Sequence, residues 1–333
     1  MKRPSLVVLD VGHGNAAVLI DTAGVVVIDA GKGGVILDFL ERLGIRAVDV
    51  LLISHADDDH VGSAPHLLID PKVLVKKVYY NSDASKDTRS WNTFAEAIRM
   101  ARIEKNLEAH PELTTSLSGH LDQGEIGIEI LFPTPEMGTS APGGRVKDGR
   151  SITSNSMSAA VKLNKAGKSM ILLAGDVEQG CLDLWRSERT DPRADVLVFP
   201  HHGGLPGDTE PAAFATDLCN LVQPRAVIFS IHRTRFLLPN PDIIRAILGT
   251  VPGVRIACTQ LSTWCARAVP NGIPSHILDL PAQGRESHFC CAGTIQIDLS
   301  GDEPVIYPRG ADHLGFIDSS AESALCRGKC AAK

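Results

Sequence analysis

The stretch of sequence that decides the fold is VLLISHADDDH, residues 50–60. It opens with a short apolar run, which predicts a strand in a sheet that is covered on both faces. The polar residues follow at the C-terminal end of this strand, where α/β sheets collect ligands and catalytic groups. His55, Asp57, Asp59 and His60 therefore form a candidate cluster for more than one cation. A solvated acidic turn is the alternative, because aspartate is common in turns.

The H-x-D-x-D-H pattern resembles the second motif of the metallo-β-lactamase superfamily, in which H-x-H-x-D-H is commoner. The aspartate variant is similar to the soluble hydrolase domain of ComEC-type DNA-uptake proteins and their stand-alone relatives. It is also similar to choline-phosphate esterases of the same fold. The resemblance covers nearly all of residues 5–310 and implies an α/β (α+β) fold, the αββα sandwich.

Composition sets the broad class of the protein. A chain of 333 residues with 44% hydrophobic and 22% charged residues is typical of a globular protein. Its net charge of −6 gives no general attraction to polyanions, so nucleic-acid binding would need a local basic patch or bound metals. No apolar run approaches the roughly 20 residues that span a bilayer, and Asp10 interrupts the first apolar stretch too early for a signal peptide. We expect a cytoplasmic protein with no membrane partner.

The domain prediction is a single unit over residues 1–312, with a helical and loop insertion around residues 81–124. The last segment, residues 313–333, is rich in small and charged residues and is predicted to be a disordered tail.

The first turns of the chain carry further parts of the resemblance. The sequence LDVGHGNA, residues 9–16, is similar to the family's opening strand and turn, with His13 in place of the usual glutamine. Asp29 begins a D-A-G sequence that matches the first motif, whose aspartate orients the metal loop through hydrogen bonds without binding metal. Alone, Asp29 would be interpreted as a turn residue. His13 is predicted to face the same site and to support the ligands; the alternative is that it faces elsewhere.

The third and fourth motifs lie in NSMSAAVKL, residues 155–163, and ILLAGD, residues 171–176. The resemblance assigns Asp176 the role of a carboxylate that bridges two metals, which suits its two hard oxygens. Asn155 and its serine neighbours stand where most of the superfamily has a histidine. One metal site is therefore poor in ligands, and Asn155 is predicted to support the ligands without binding metal.

Two later loops complete the candidate site. PHHG, residues 200–203, resembles a family loop whose histidine is a ligand or a proton donor; which of His201 and His202 does what stays open. At residues 238–241 Asn240 replaces the histidine of a G-H-P motif, and we expect His232 to supply the missing imidazole. Asn240 is also predicted to cap the following helix.

Contacts to a phosphate are predicted for Arg233 and Arg235, whose guanidinium groups can bind it bidentately, and for Asn240. The loop of residues 134–154 carries Arg145, Lys147 and Arg150. These basic residues suit a phosphate-bearing substrate, but a solvated loop is an equal alternative.

Seven of the eight cysteines follow residue 218. Four Cys or His ligands can hold a structural zinc ion in a tetrahedron. The candidates are Cys258, Cys265, Cys290 and Cys291. Their spacing is not that of a zinc finger, and the alternative is a set of buried reduced thiols.

These residues predict metal-assisted hydrolysis. A set of imidazoles and carboxylates suits Zn²⁺ or Mn²⁺, two per chain, which activate a water and stabilise negative charge in the transition state. One metal is assigned to Asp59, His60 and His201 or His202, the other to His55 and Asp57, with Asp176 between them; Asp59, Asp176 and His202 are the predicted catalytic residues.

The resemblance implies a phosphodiesterase, with DNA as the substrate of a nuclease. The alternatives are a small-molecule phosphodiesterase or ester hydrolase, and a non-catalytic binding or regulatory protein whose metal site has degraded.

Overall fold

Two β-sheets pack face to face and helices cover the outer face of each sheet, so the predicted αββα sandwich is confirmed. The computed structural model describes residues 3–83, 85–140, 142–145 and 151–328. No helix in these ranges is long and apolar enough to cross a membrane.

The first sheet has eight strands and the second has six. In the first sheet the strands lie in the order β14-β13-β1-β2-β3-β4-β5-β6, and in the second β12-β11-β10-β9-β8-β7. The strand bounds are β1 Ser5–Val8, β2 Ala16–Ile20, β3 Val25–Ala30, β4 Ala47–Ile53, β5 Leu74–Tyr80, β6 Glu108–His110, β7 Ile126–Phe132, β8 Ala160–Lys165, β9 Lys168–Leu173, β10 Val196–Val198, β11 Ala226–Phe229, β12 Arg255–Cys258, β13 Ile295–Asp298 and β14 Val305–Tyr307.

The helices are α1 Val35–Arg42, α2 Asp58–Val61, α3 Ala64–Ile69, α4 Arg89–Glu104, α5 Pro135–Ser140, α6 Gln179–Glu188, α7 Pro211–Val222, α8 Pro241–Thr250 and α9 Gly310–Ser320. Single 3₁₀ turns span Thr115–Leu117, Asn155–Met157, Pro200–Gly203 and Leu325–Arg327.

Strand β4 shows how the apolar pattern produces the layers. Val50 and Leu52 face the core between the two sheets, whereas Leu51 and Ile53 face the helices outside the first sheet. Successive side chains of a strand point to opposite faces, so a strand covered on both sides needs an unbroken apolar run. Residues 50–53 are all buried, in agreement with the sequence prediction.

The two sheets do not correspond simply to the two halves of the sequence, because two later stretches of chain add strands to the first sheet. Strands β13 and β14 return from the end of the chain to the first sheet, where β13 pairs antiparallel with β1. Residues in the predicted insertion form α4 and β6, and β6 extends the first sheet by pairing parallel with β5. This stretch therefore belongs to the sandwich.

The prediction of a disordered tail was wrong for residues 313–328, while residues 329–333 lie outside the described ranges. His313 and Ile317 lie one helical turn apart on α9 and are 1% and 2% exposed. Leu325 packs into the apolar core that covers the second sheet. The segment contains few large apolar residues, so its composition did not indicate a helix that buries one face.

The pH dependence of stability tests the docking of α9. Burial, with Arg255 and His276 nearby, lowers the pKa of His313 to about 3. An unfolded chain has the ordinary value near 6.5, so between these values it takes up a proton that the folded protein refuses. Stabilisation by the neutral imidazole is therefore present above about pH 6.5 and is lost as the pH falls.

We expect the free energy of unfolding, measured by urea titration between pH 7 and pH 5, to fall less steeply in His313→Gln than in the wild type. His120→Gln, which changes an exposed imidazole, should keep the wild-type slope. Identical slopes in the wild type and His313→Gln would refute the role of His313.

Candidate metal centre

The loop after β4 separates its four candidate ligands into two pairs. His55 and Asp57 leave the strand in extended chain, and Asp57 is the N-terminal cap residue of α2. Asp59 and His60 lie in α2, which the backbone hydrogen bond from His60 N–H to the Asp57 carbonyl (2.9 Å) helps to close. The switch from extended to helical backbone points the pairs in different directions.

The tightest group, here called the Asp59 group, consists of Asp59, His60, Asp176 and His202. Their ligand atoms all lie within 4.8 Å of one another. Nε2 of His202 is 3.1 Å from Oδ2 of Asp59, and Nε2 of His60 is 3.2 Å from Oδ1 of Asp176. Within the described ranges no other set of three or more His, Cys, Asp or Glu residues meets this criterion. The structure thus places His202, of the two adjacent histidines, beside Asp59.

A second, looser group lies on the other oxygen of Asp176 and is here called the His55 group. Nε2 of His55 is 3.8 Å from Oδ2 of Asp176 and 4.0 Å from Oδ2 of Asp57. Nδ1 of His201 is 3.4 Å from the same Asp176 oxygen. Asp176 therefore stands between the two groups, with His55 and His201 beside one carboxylate oxygen and His60 beside the other.

The two adjacent histidines diverge because of their backbone. His201 and His202 have left-handed φ angles of 52° and 55°, which are uncommon for residues other than glycine. Gly203 follows at φ 79°, and a Cβ atom there would lie 2.7 Å from both Phe229 and Pro239. The close packing of Gly203 thus holds the turn that sends one imidazole to each group.

Hydrogen bonds that the Asp29 carboxylate accepts orient the metal loop. Its carboxylate accepts the Ser54 N–H at 2.7 Å and the Ser54 hydroxyl at 2.9 Å, and lies 2.7 Å from Nδ1 of His60. A bond from Nδ1–H of His60 leaves Nε2 free to face Asp176. This is the orienting role that the resemblance implied for Asp29.

Ser54 and Ser158 are parts of the site that the sequence interpretation missed. Both hydroxyls contact Nδ1 of His55, at 3.1 Å and 3.2 Å. The Ser158 hydroxyl also accepts the backbone N–H of Asp176 at 2.8 Å. Their positions, next to the end of β4 and just before β8, were the only sequence signal.

The electrostatics of the site favour positive charge between the carboxylates. Burial disfavours charge on His60, but the carboxylates of Asp176 and Asp29 outweigh it and raise the pKa of His60 well above its ordinary value. Burial likewise opposes ionisation of Asp59, but hydrogen bonds from His13 and His202 hold its pKa well below the usual range. Burial lowers the pKa of His55 to about 4.

The donor set fits a divalent metal. Nε2 of His55 and Nε2 of His60 are buried, have no hydrogen-bond partner and face carboxylate oxygens. A buried polar atom without a hydrogen-bond partner costs folding free energy. A cation between an imidazole nitrogen and a carboxylate would give both groups a partner. The two imidazoles and two carboxylates of the Asp59 group suit Zn²⁺ or Mn²⁺.

Other predicted supporting residues have different fates. Nε2 of His13 is 3.2 Å from Oδ2 of Asp59, so His13 does face the site. Asn155 begins a 3₁₀ turn, and within the described ranges its side chain makes no hydrogen bond to either group. Lys86 forms an ion pair with Asp57 and contacts the Ser154 hydroxyl at 3.3 Å. Lys86, in the predicted insertion of residues 81–124, thus contacts the His55 group.

His232 and Arg233 do not have the predicted roles. His232 is absent from both groups; its Nδ1 accepts the N–H of Thr234 at 3.2 Å, and its ring packs edge-on against Phe289. Arg233 is 3% exposed, and its guanidinium donates to backbone carbonyls of Leu261 and Ala266. Burial and these internal bonds exclude a phosphate contact by Arg233.

Arg235 and Asn240 lie nearer the site. Arg235 is exposed and lies over the ring of Phe236, 5.6 Å from its centroid. Asn240 lines the cleft beside the Asp59 group, and its Oδ1 accepts the Asp242 N–H at 2.8 Å, which confirms the helix cap. Arg145 forms a β-bridge with Ser151, whereas Lys147 and Arg150 lie outside the described residues.

The predicted zinc set of four cysteines does not come together. The Cys290 thiol contacts Asp10 at 3.6 Å. Cys258, Cys265 and Cys291 line a separate small cavity with Cys326 and His313. In the described ranges, the set of His, Cys, Asp or Glu side chains that lies within ligating distance is the Asp59 group, which contains no cysteine. The alternative, reduced thiols packed in apolar surroundings, describes these residues; burial raises the pKa of Cys258 and Cys291.

Comparisons with known proteins identify the N-terminal part of the chain. A model described as "Metallo-beta-lactamase superfamily" matches residues 9–150. No curated protein matches the sequence. Among solved structures, the metallo-beta-lactamase fold protein YhfI from Bacillus subtilis is 10% identical, with 77% of this chain and 96% of that chain covered and a TM-score of 0.49.

The metallo hydrolase Igni18 from the archaeon Ignicoccus hospitalis is 16% identical, with 76% of this chain and 94% of that chain covered and a TM-score of 0.46.

Removal of the Asp29 charge tests its orienting role. We expect Asp29→Asn to bind Zn²⁺ about 10- to 100-fold more weakly, because the His60 ring loses the acceptor that fixes it. Competition with a chelating dye measures the affinity, and circular dichroism checks the fold. Asp38→Asn, at an exposed position of α1, is the matched control. Unchanged affinity in Asp29→Asn would contradict the role.

Proposed function

We propose that this chain, whose residues 9–150 match the metallo-β-lactamase superfamily model, is a metal-dependent phosphodiester hydrolase of that superfamily. The observation that carries the proposal is the Asp59 group, in which two imidazoles and two carboxylates from three separate loops converge within 4.8 Å. Asp59, Asp176 and His202 of this group line a cleft of about 980 Å³.

We propose that Asp59, His60, Asp176 and His202 hold one metal and that the His55 group, through its shared Asp176, holds a second. Zn²⁺ and Mn²⁺ both suit these donors. Bound there, the metals would lower the pKa of a water and offset negative charge on the phosphate.

The chain's own residues position these ligands and exclude solvent from them. Asp29 and Ser54 hold the His60 ring, and Ser54 and Ser158 hold the His55 ring. The side chains of His55 and His60 are 1% and 0% exposed, so Nε2 of each is withheld from bulk water. His13 and Asp59 are more exposed, at 16% and 20%, and form the wall that a substrate reaches.

The substrate class rests on the ComEC-type resemblance, which supports a phosphodiester and names DNA as one candidate. A nuclease needs basic residues to position the backbone, and Arg233, one of the two guanidinium candidates, is buried in internal hydrogen bonds. This burial favours the second candidate, a small-molecule phosphodiesterase.

Metal-reconstitution assays test the proposal. The protein is stripped of metal, reloaded with Zn²⁺ or Mn²⁺, and assayed on bis-p-nitrophenyl phosphate and on single- and double-stranded DNA. We expect metal-dependent cleavage of the small ester that falls to background in Asp176→Asn, because one carboxylate oxygen of Asp176 faces the Asp59 group and the other faces the His55 group. Asp208→Asn, at an exposed position, should retain wild-type activity.

Metal analysis separates this proposal from a non-catalytic protein. Close to two metals per wild-type chain, with fewer in Asp176→Asn, is the expected result. No turnover of any phosphodiester by a fully loaded protein would reject hydrolysis and favour the binding or regulatory alternative. Cleavage of DNA but not of the small ester would assign a nuclease.

A further inference from the structure

Four exposed apolar side chains gather at the mouth of the cleft beside the metal centre. Leu205, Phe236, Leu237 and Trp264, here called the apolar rim, are 67%, 66%, 54% and 41% exposed and line the same cleft as the Asp59 group. Single apolar residues on a surface are ordinary, but a cluster around a cleft is typical of a binding site.

The backbone holds this rim in place. The indole N–H of Trp264 donates to the Leu237 carbonyl at 2.7 Å, and the Ser262 hydroxyl donates to the Leu238 carbonyl at 2.6 Å. Phe236 and Leu237 have left-handed φ angles of 58° and 49°. A left-handed conformation is unfavourable for residues with a Cβ atom, so the loop exposes these two side chains at an energetic disadvantage.

His13 connects the rim to the metal centre. The Phe236 ring lies 4.5 Å from the His13 ring, and Nε2 of His13 is 3.2 Å from Oδ2 of Asp59. A group that packs on Phe236 is therefore separated from the Asp59 group by one imidazole. At this spacing, one small molecule can place an apolar substituent on Phe236 and a phosphate at the metal centre.

Two of the arginines near the rim are engaged within the protein, whereas Arg235 is exposed beside Phe236. Arg245 forms an ion pair with Asp242, so an acid accompanies the cation at this side of the cleft. Arg233 donates to backbone carbonyls beneath the surface. The volume of about 980 Å³ is within the range of small-molecule sites.

From these contacts we propose that the apolar rim binds an aromatic substituent of a small phosphodiester whose phosphate lies at the metal centre. The inference rests on the proposed function and extends it by naming the substrate class. Phe236 and Leu237 contact the substituent, and Trp264 both contacts it and holds the loop.

Binding of two matched diesters tests the rim apart from catalysis. Diphenyl phosphate and dimethyl phosphate carry the same charge and differ in their rings, and their affinities for the metal-loaded protein are measured by calorimetry. We expect diphenyl phosphate to bind at least about tenfold more tightly, because stacking and burial of a ring contribute this much. Phe236→Ala and Leu237→Ala should each reduce the preference several-fold without changing metal content.

Ile103→Ala is the matched control, because Ile103 is 70% exposed and lies on α4, away from the cleft; it should keep the full preference. Equal affinity for the two diesters, or a preference that survives both rim variants, would overturn the proposal. Tighter binding of a single-stranded oligonucleotide than of diphenyl phosphate would also overturn it. A rim-dependent preference without hydrolysis would retain the inference and reject the proposed activity instead.

Discussion

The hydrogen bonds of the Asp29 carboxylate are the interaction on which the metal centre depends. They join the end of β3 to the residue after β4 and to the His60 ring. Strands β3 and β4 are parallel neighbours, so their carboxyl ends lie side by side. Asp29 itself adopts a left-handed φ of 59°, which turns its carboxylate toward the metal loop. Without these bonds the His60 ring would have no fixed orientation toward Asp176.

The second sheet supplies the other half of the centre by the same geometry. Strands β9, β10 and β11 run parallel, and the loops that follow them carry Asp176, the two adjacent histidines and Asn240. Because parallel strands present their carboxyl ends at one edge, residues far apart in sequence meet there. Glycine also permits a close approach between the loops after β3 and β4: a Cβ on Gly31 would lie 2.6 Å from the Asp59 carbonyl oxygen.

The site combines buried polar residues with an apolar rim at its mouth. This combination suits a ligand that has both a charged group and an apolar group. Buried imidazoles and carboxylates favour a cation, and the surrounding core keeps water from their inner nitrogen atoms. The rim around Phe236 instead offers surface to an apolar group, and Arg233, which might have contacted a phosphate chain, is used to hold the loop of residues 261–268. In the proposed function, the metal centre therefore accommodates the negative charge of the substrate.

Local patterns in the sequence determined much of this protein: the buried strand before the metal loop, the sandwich fold, and the ligand candidates from His55 to His202 that follow strand ends. Those features depend on residue spacing and on strand order. Three outcomes depended on packing between distant segments: the burial of Arg233, the position of His232 outside the centre, and the helix of residues 310–320. The sequence carries no local signal for them, because hydrogen-bond partners such as Leu261 and ring neighbours such as Phe289 come together only when the sheets and loops assemble. Local sequence determined which side chains are candidate metal ligands. Tertiary structure decided which imidazole lies beside which carboxylate.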